Sequence, residues 1–418
     1  MKESTSTIEP AFPWRVWPVY TGQALASFGT AFLQMGFFFY STNRWGWSPR
    51  KNLALAAVEG IVYIFGALLS STIAIRFGRR ALGSVMPILF ALIGVICASF
   101  ADRPEVVAPL LVLLGFLVAT YWPGMESLVA TGTDAHRMAR RLAVYNLVWP
   151  AVNALATAVC GVVIAHLPIG FFYISAAING LGGIVLALGG KQPEESRDKG
   201  RGKEENGGEK HAHGAAEPEL LRQRTLALWL SRIALPSTYL VSYALAALMP
   251  TLPSLAHETV SVQTVIGSLW LVGRWIAFSI LAISTFWHTR PRLLIWASLV
   301  MLISFVLICV PTSVVAGGSQ QMDLWVMGVA QIVLGWALAL IYSGSLYFGM
   351  VLSEGSTEHG GYHEALIGLG QALGPGVATV AQIIRPGSIY PAVIAVAVLL
   401  AISLVASEVA AVRVGKTE

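Results

Sequence analysis

Long apolar runs separated by short polar breaks fill almost the whole of this 418-residue chain. A helix needs about 20 mostly apolar residues to cross the hydrocarbon of a bilayer. Twelve runs meet that length: 17–40, 52–75, 81–100, 106–126, 141–166, 169–189, 225–250, 262–286, 291–312, 322–349, 362–384 and 388–410. The pattern predicts an all-α membrane protein with twelve transmembrane helices. One break differs in character. Residues 190–224 are polar, rich in Gly and Glu, and show no apolar stripe at helical spacing, as expected of a solvated linker. The chain thus divides into a tail over 1–16, a six-helix bundle over 17–189, the linker over 190–224, a second six-helix bundle over 225–410 and a tail over 411–418.

Composition agrees with a lipid environment. Apolar residues make up 56% of the chain and charged residues 12%, where a soluble domain carries about 25% charge. The 13 tryptophans and 41 glycines fit membrane helices and their interfaces. Cys97, Cys160 and Cys309 lie inside apolar runs without ligand spacing and read as small buried hydrophobes. His211 and His213 in the linker could hold a metal, but the surrounding composition reads as plain solvated chain, so neither a metal nor a cofactor is expected. The first 15 residues are polar and lead straight into an apolar run, with no cleavable signal evident. Charge then orients the chain. Of the 27 Lys and Arg, 20 fall on the termini and the breaks after even-numbered spans, five on the opposite breaks, and two within spans. By the positive-inside rule both termini and the linker are expected in the cytoplasm, with the chain multi-pass in the cytoplasmic or plasma membrane.

Six spans, a linker and six more spans suggest a duplicated architecture. The halves echo each other: Tyr121, a charged loop and Tyr145-Asn146 recur as Tyr342, a polar loop and His363-Glu364. The break after the second span reads STIAIRFGRR, Ser71 to Arg80. It lacks the G-x-x-x-x-G-K-[ST] pattern of a phosphate-binding loop, and no folded soluble domain offers a basic patch for nucleic acid. It resembles the G-x-L-A-D-R-x-G-R-R loop of the major facilitator superfamily, which there also lies between spans two and three. Ala74, Arg76, Gly78, Arg79 and Arg80 match, while Ser71 stands in place of Gly and Ile75 in place of Asp. With the 6 + linker + 6 layout, the resemblance covers essentially the whole chain. It implies two pseudo-symmetric six-helix bundles rocking about a central site. A basic cytoplasmic turn with no further role is the other reading of the loop.

Residues 4, 7, 11 and 18 apart share a helix face. On that rule span 1 aligns Gln23, Ser27, Thr30 and Gln34, and span 2 aligns Glu59, Tyr63, Gly66 and Ser70. Span 5 aligns Asn146, Asn153 and Thr157, and span 7 aligns Arg232, Tyr239 and Tyr243. Span 10 offers Gln331, Tyr342 and Ser345, and span 11 aligns Glu364, Gly368, Gln371, Pro375 and Gln382. Polar groups in hydrocarbon are costly, so such stripes face protein or a watery cavity. Small and amide side chains also serve as contacts between helices. The resemblance implies that spans 1, 4, 7 and 10 surround the substrate, which makes Gln23, Ser27, Gln34, Arg232, Tyr239, Tyr243, Gln331 and Tyr342 the cavity candidates. It also implies that spans 2, 5 and 11 join the halves.

Ionisable residues inside spans are functional hypotheses by default. Glu59 in span 2 and Arg274 in span 8 could pair across the halves and close the outer side. Glu59 could instead carry a proton, since a carboxyl taken out of water favours its neutral form, and separate pairs within each half are the third reading. Arg232 could meet an anionic or carbonyl-bearing substrate or extend to the interface. Glu126, after Pro123, could be a gate or coupling acid or could meet the Arg137–Arg141 cluster. Glu364, with Gln371 on its face, could pair with Arg76 or Arg79 and replace the acid missing at Ile75; it could equally complement the dipole of its own helix.

The resembled drug exporters carry an arginine in span 4 and a Gly-Pro pattern in span 5; both are missing here, and a G-x-G-x-x-x-G-P-G pattern stands in span 11 instead, Gly368 to Gly376. No catalytic constellation appears, so no enzyme is expected. The sequence reads as a secondary active transporter of a small organic solute, with protons as the coupling ion and a monomeric functional unit. A multidrug exporter or a non-transporting receptor or scaffold on the same fold are the alternatives.

Overall fold

The computed structural model describes residues 17–130, 135–189, 218–352 and 357–415. The first half holds α1 (Trp17–Trp45), α2 (Pro49–Phe77), α3 (Arg79–Ser99), α4 (Pro104–Ala130), α5 (Ala135–His166) and α6 (Gly170–Leu188). The second holds α7 (Pro218–Leu248), α8 (Val260–Ile283), α9 (Arg292–Cys309), α10 (Gln320–Leu352), α11 (Thr357–Ile384) and α12 (Tyr390–Gly415). No strand occurs among the described residues. Eleven of these helices are long and apolar enough to cross a membrane. The exception is α1, whose Gln23, Ser27, Thr30 and Gln34 dilute its apolar content; Gln23, Ser27 and Thr30 are buried inside the bundle, away from lipid.

Most helices outrun the apolar runs that predict them. Thus α1 continues past residue 40 to Trp45, α4 past 126 to Ala130, and α10 past 349 to Leu352. Backbone hydrogen bonding continues after the hydrocarbon stops, so apolarity marks the span and not the helix end. The expected linker is shortened for the same reason: α7 starts at Pro218, with proline in the first turn where its missing N–H costs nothing. The histidines His211 and His213, the tail over 1–16 and residues 416–418 lie outside the described residues.

Helices in lipid associate through close packing, and small residues let backbones approach. Across the halves, Gly60 of α2 lies against the Gln371–Ala372 backbone of α11, and Gly368 of α11 against Ile64 of α2. Gly161 of α5 meets Thr264 and the Val260–Ser261 backbone of α8. Inside the second half, Gly370 and Gly374 of α11 abut the Pro236 and Leu240 carbonyl groups of α7. A Cβ at Gly370 would strike backbone, which cannot rotate away. Gly370→Val is therefore expected to lower stability by about 3 kcal/mol, read as a fall in the thermal unfolding midpoint of the purified protein. Away from these seams the surface is apolar: Ile394, Val398, Ile402 and Val405 follow one face of α12 and are exposed, as a lipid-facing stripe requires.

The basic break between α2 and α3 contracts to one residue. Gly78 has φ +83°, a left-handed conformation that glycine adopts without strain. Its N–H caps α2 through Ala74 O at 2.9 Å, and its carbonyl accepts from Leu82 N at 3.1 Å to begin α3. Arg80 Nη2 donates to Leu186 O at 3.4 Å, satisfying a carbonyl in the last turn of α6.

Candidate functional site

Both halves contribute to one central cavity of about 120 Å³. From the first half come Ser27, Thr30 and Gln34 of α1, Tyr63 of α2, Trp122 and Glu126 of α4, and Tyr145, Trp149 and Asn153 of α5. The second half supplies Tyr239, Ser242 and Tyr243 of α7, Trp270 and Arg274 of α8, Tyr342 of α10, and Glu364 and Gln371 of α11.

The two ends of this cavity differ. Towards the face away from the termini it ends on Met35, Trp270 and Leu271. Beyond them Phe39 and Met249 rest on Gly267, and Thr264 Oγ1 donates to Ala158 O at 3.2 Å, so α5 and α8 are joined there. Towards the face bearing the termini stand two carboxyl groups, one from each half. Tyr63 of α2 donates to Glu364 Oε2 of α11 at 2.6 Å. That length falls in the range of a charge-assisted O–H···O bond. Glu126 of α4 faces the same space, with Tyr342 of α10 beside it in the lining. The phenol of one half thus holds an acid of the other, and both acids line one cavity. Behind them Ser345 Oγ and His363 Nδ1 lie 3.1 Å apart, and the His363 ring stands edge-on to Tyr342.

Arg274 occupies the middle of the wall and is 2% exposed. Its Cζ lies 4.6 Å from the ring centroid of Trp149, 5.0 Å from Tyr342, 5.5 Å from Phe278 and 5.6 Å from Tyr239. Such contacts with aromatic faces offset part of the cost of burying a cation. Its hydrogen bonding is sparse: Nη2 donates to Tyr239 Oη at 3.4 Å, and Nε has no partner among the described residues. With its amide nitrogen turned towards the two carbonyl groups, Asn153 donates to Ser27 O at 3.0 Å and Trp149 O at 3.1 Å, tying α5 to α1.

Of the residues singled out by sequence, Ser27, Gln34, Tyr239, Tyr243, Tyr342, Arg274, Glu126, Glu364 and Gln371 meet at this cavity. Three cavity candidates do not line it. Gln23 is buried one turn too far along α1, where its Nε2 donates to Tyr145 O at 3.2 Å. Gln331 is fully buried in α10, and Arg232 is half-buried near the middle of α7. The cross-half pair of Glu59 with Arg274 is not formed: Arg274 sits in its aromatic box, while Glu59 is buried against Gly115 of α4. The relocated acid is not at the loop either. Glu364 is engaged by Tyr63, while Arg76 is exposed over the Phe77 ring, and Ile75 is 86% exposed.

Sequence reasoning passed over Trp122, Trp149 and Trp270. Each stands four residues before a polar cavity residue, respectively Glu126, Asn153 and Arg274, and so shares its helix face. Extending the polar stripe of span 5 and the charged positions of spans 4 and 8 by one turn reaches all three.

The sequence model described as Major Facilitator Superfamily matches residues 19–375. No match is found among curated proteins. Among solved structures, a mutant of the nucleoside transporter NupG is similar with TM-score 0.67 at 15% identity, covering 94% of this chain and 99% of that one. A second NupG structure is similar with TM-score 0.64 at 14% identity, covering 95% and 99%.

Proposed function

Since the chain belongs to the Major Facilitator Superfamily, a transporter family, we propose that it carries a small organic solute through the central cavity by alternating access, with protons as the coupling ion. The carrying observation is the Tyr63 to Glu364 bond at the seam between the halves, with Glu126 facing the same cavity. A proton or solute that changes these two acids acts directly on the contact between the bodies that must move. With both termini cytoplasmic, as the charge bias favours, the face sealed by α5 and α8 is the external one. Entry and exit then alternate between that seal and the Tyr63–Glu364 bond. One chain supplies every wall of the cavity, which supports a monomeric functional unit in a plasma or cytoplasmic membrane.

The aromatic and amide walls suit a ring-bearing solute, and the nucleosides named for the similar structures are one class to try. Proteoliposomes containing the purified chain, given a proton gradient and a panel of radiolabelled nucleosides, organic acids, amines and sugars, test the reading. Uptake of one class that collapses with a protonophore is expected. Flux of none of them, with no proton movement, would favour a receptor or scaffold.

A further inference from the structure

We infer that the solute is a small organic carboxylate with a flat, unsaturated body, and that its carboxylate docks on the guanidinium of Arg274. The inference rests on the transporter reading and narrows it. A guanidinium carries five N–H donors in a fixed fork that matches a carboxylate. Here it spends one of them on a phenol at 3.4 Å. Among the described residues no carboxylate lies within 4 Å of it, although Glu126 and Glu364 line the same cavity; Glu364 bonds to Tyr63 instead. A buried cation without a counter-charge is costly to the solute-free protein. Aromatic faces relieve that cost only in part, and they leave the in-plane N–H edge unsatisfied, as the partnerless Nε shows. A cation kept in this condition in the wall of a cavity is poised for an anion that comes and goes.

The rest of the cavity argues for the shape of that anion. Trp122, Trp270 and Tyr243 face the same space, and their flat rings favour a flat partner. The proton of the proposed coupling would balance the added negative charge.

Benzoate and its neutral isostere benzamide isolate the charge. With the full chain in nanodiscs, calorimetric titration is expected to show benzoate binding and benzamide weaker by about tenfold or more. Arg274→Gln should remove that preference, and Arg274→Lys, which keeps a cation but not the fork, should retain part of it. The solute-free Arg274→Gln protein should unfold at no lower temperature than the parent, since it loses an unpaired buried charge; a purely structural arginine would lower it. Benzamide or uridine binding as well as benzoate overturns the inference. So does benzoate binding that ignores Arg274→Gln, or no binding of benzoate at all. If uridine or another neutral solute is nevertheless transported, the carboxylate assignment fails and the transporter reading stands; if no solute moves in any form, both fail.

Discussion

Glu364→Gln is expected to abolish solute accumulation driven by a proton gradient, while exchange of labelled for unlabelled solute at equal pH persists. Gradient-driven uptake needs a group that takes up and releases a proton in each cycle, and an amide cannot do so. Exchange needs only binding and movement of the loaded protein. The geometry adds a graded companion. Tyr63→Phe keeps the carboxyl group but removes its 2.6 Å bond across the halves. Losing a hydrogen bond to a charged group costs about 1.5–3 kcal/mol, so the balance between the two access states should shift by roughly tenfold or more. Both variants can be followed in one preparation of proteoliposomes. Equal loss of exchange and uptake in Glu364→Gln would mean that the acid serves binding or folding and not coupling.

The second large effect is expected at Gly161. Its α-hydrogen faces Thr264 and the Val260–Ser261 backbone of α8, at the face away from the termini. Valine there forces the two helices apart, and overpacking of this kind costs about 1–3 kcal/mol. Unlike Gly370, which joins two helices of one half, Gly161 joins helices of opposite halves. The strain can therefore be released by parting the halves, with each bundle left intact. Spin labels at Leu167 and Val262, both exposed near that seam, should report a longer distance in Gly161→Val than in the parent, with little loss of thermal stability. An unchanged distance with a large drop in stability would show that the seam is a fixed core and not a gate.

Much of this architecture was legible in the chain because the bilayer imposes a simple rule on length and polarity. The runs located all twelve long helices, and the polar stripes together with the charges inside spans located nine of the candidate residues at the cavity. The misses have physical causes. Gln23 satisfies the face rule but not the depth rule, since periodicity gives an angle about the helix and says nothing of height along it. Gln331 stands one turn before Gly335, on the side of α10 packed against Trp270 and Arg274 of α8. Glu59 and Arg274 each carry a lone charge in a span, which suggested a pair. The structure instead surrounds the cation with rings, a solution invisible to a search for opposite charges. The tryptophans were missed because an aromatic residue in an apolar run is indistinguishable from lipid-facing filler until its neighbours four positions on are considered.

The one-residue junction at Gly78 has a mechanical consequence. A long loop would let α2 tilt while α3 stayed behind. Here a single glycine joins them, and Arg80 fastens the start of α3 to the end of α6. Any torque that α11 exerts on α2 through Gly60 and Tyr63 therefore reaches three helices at once, so the first half turns as a lever with little slack. Flexibility inserted beside Gly78, in the form of extra glycines, would absorb the stroke before it crossed the bundle.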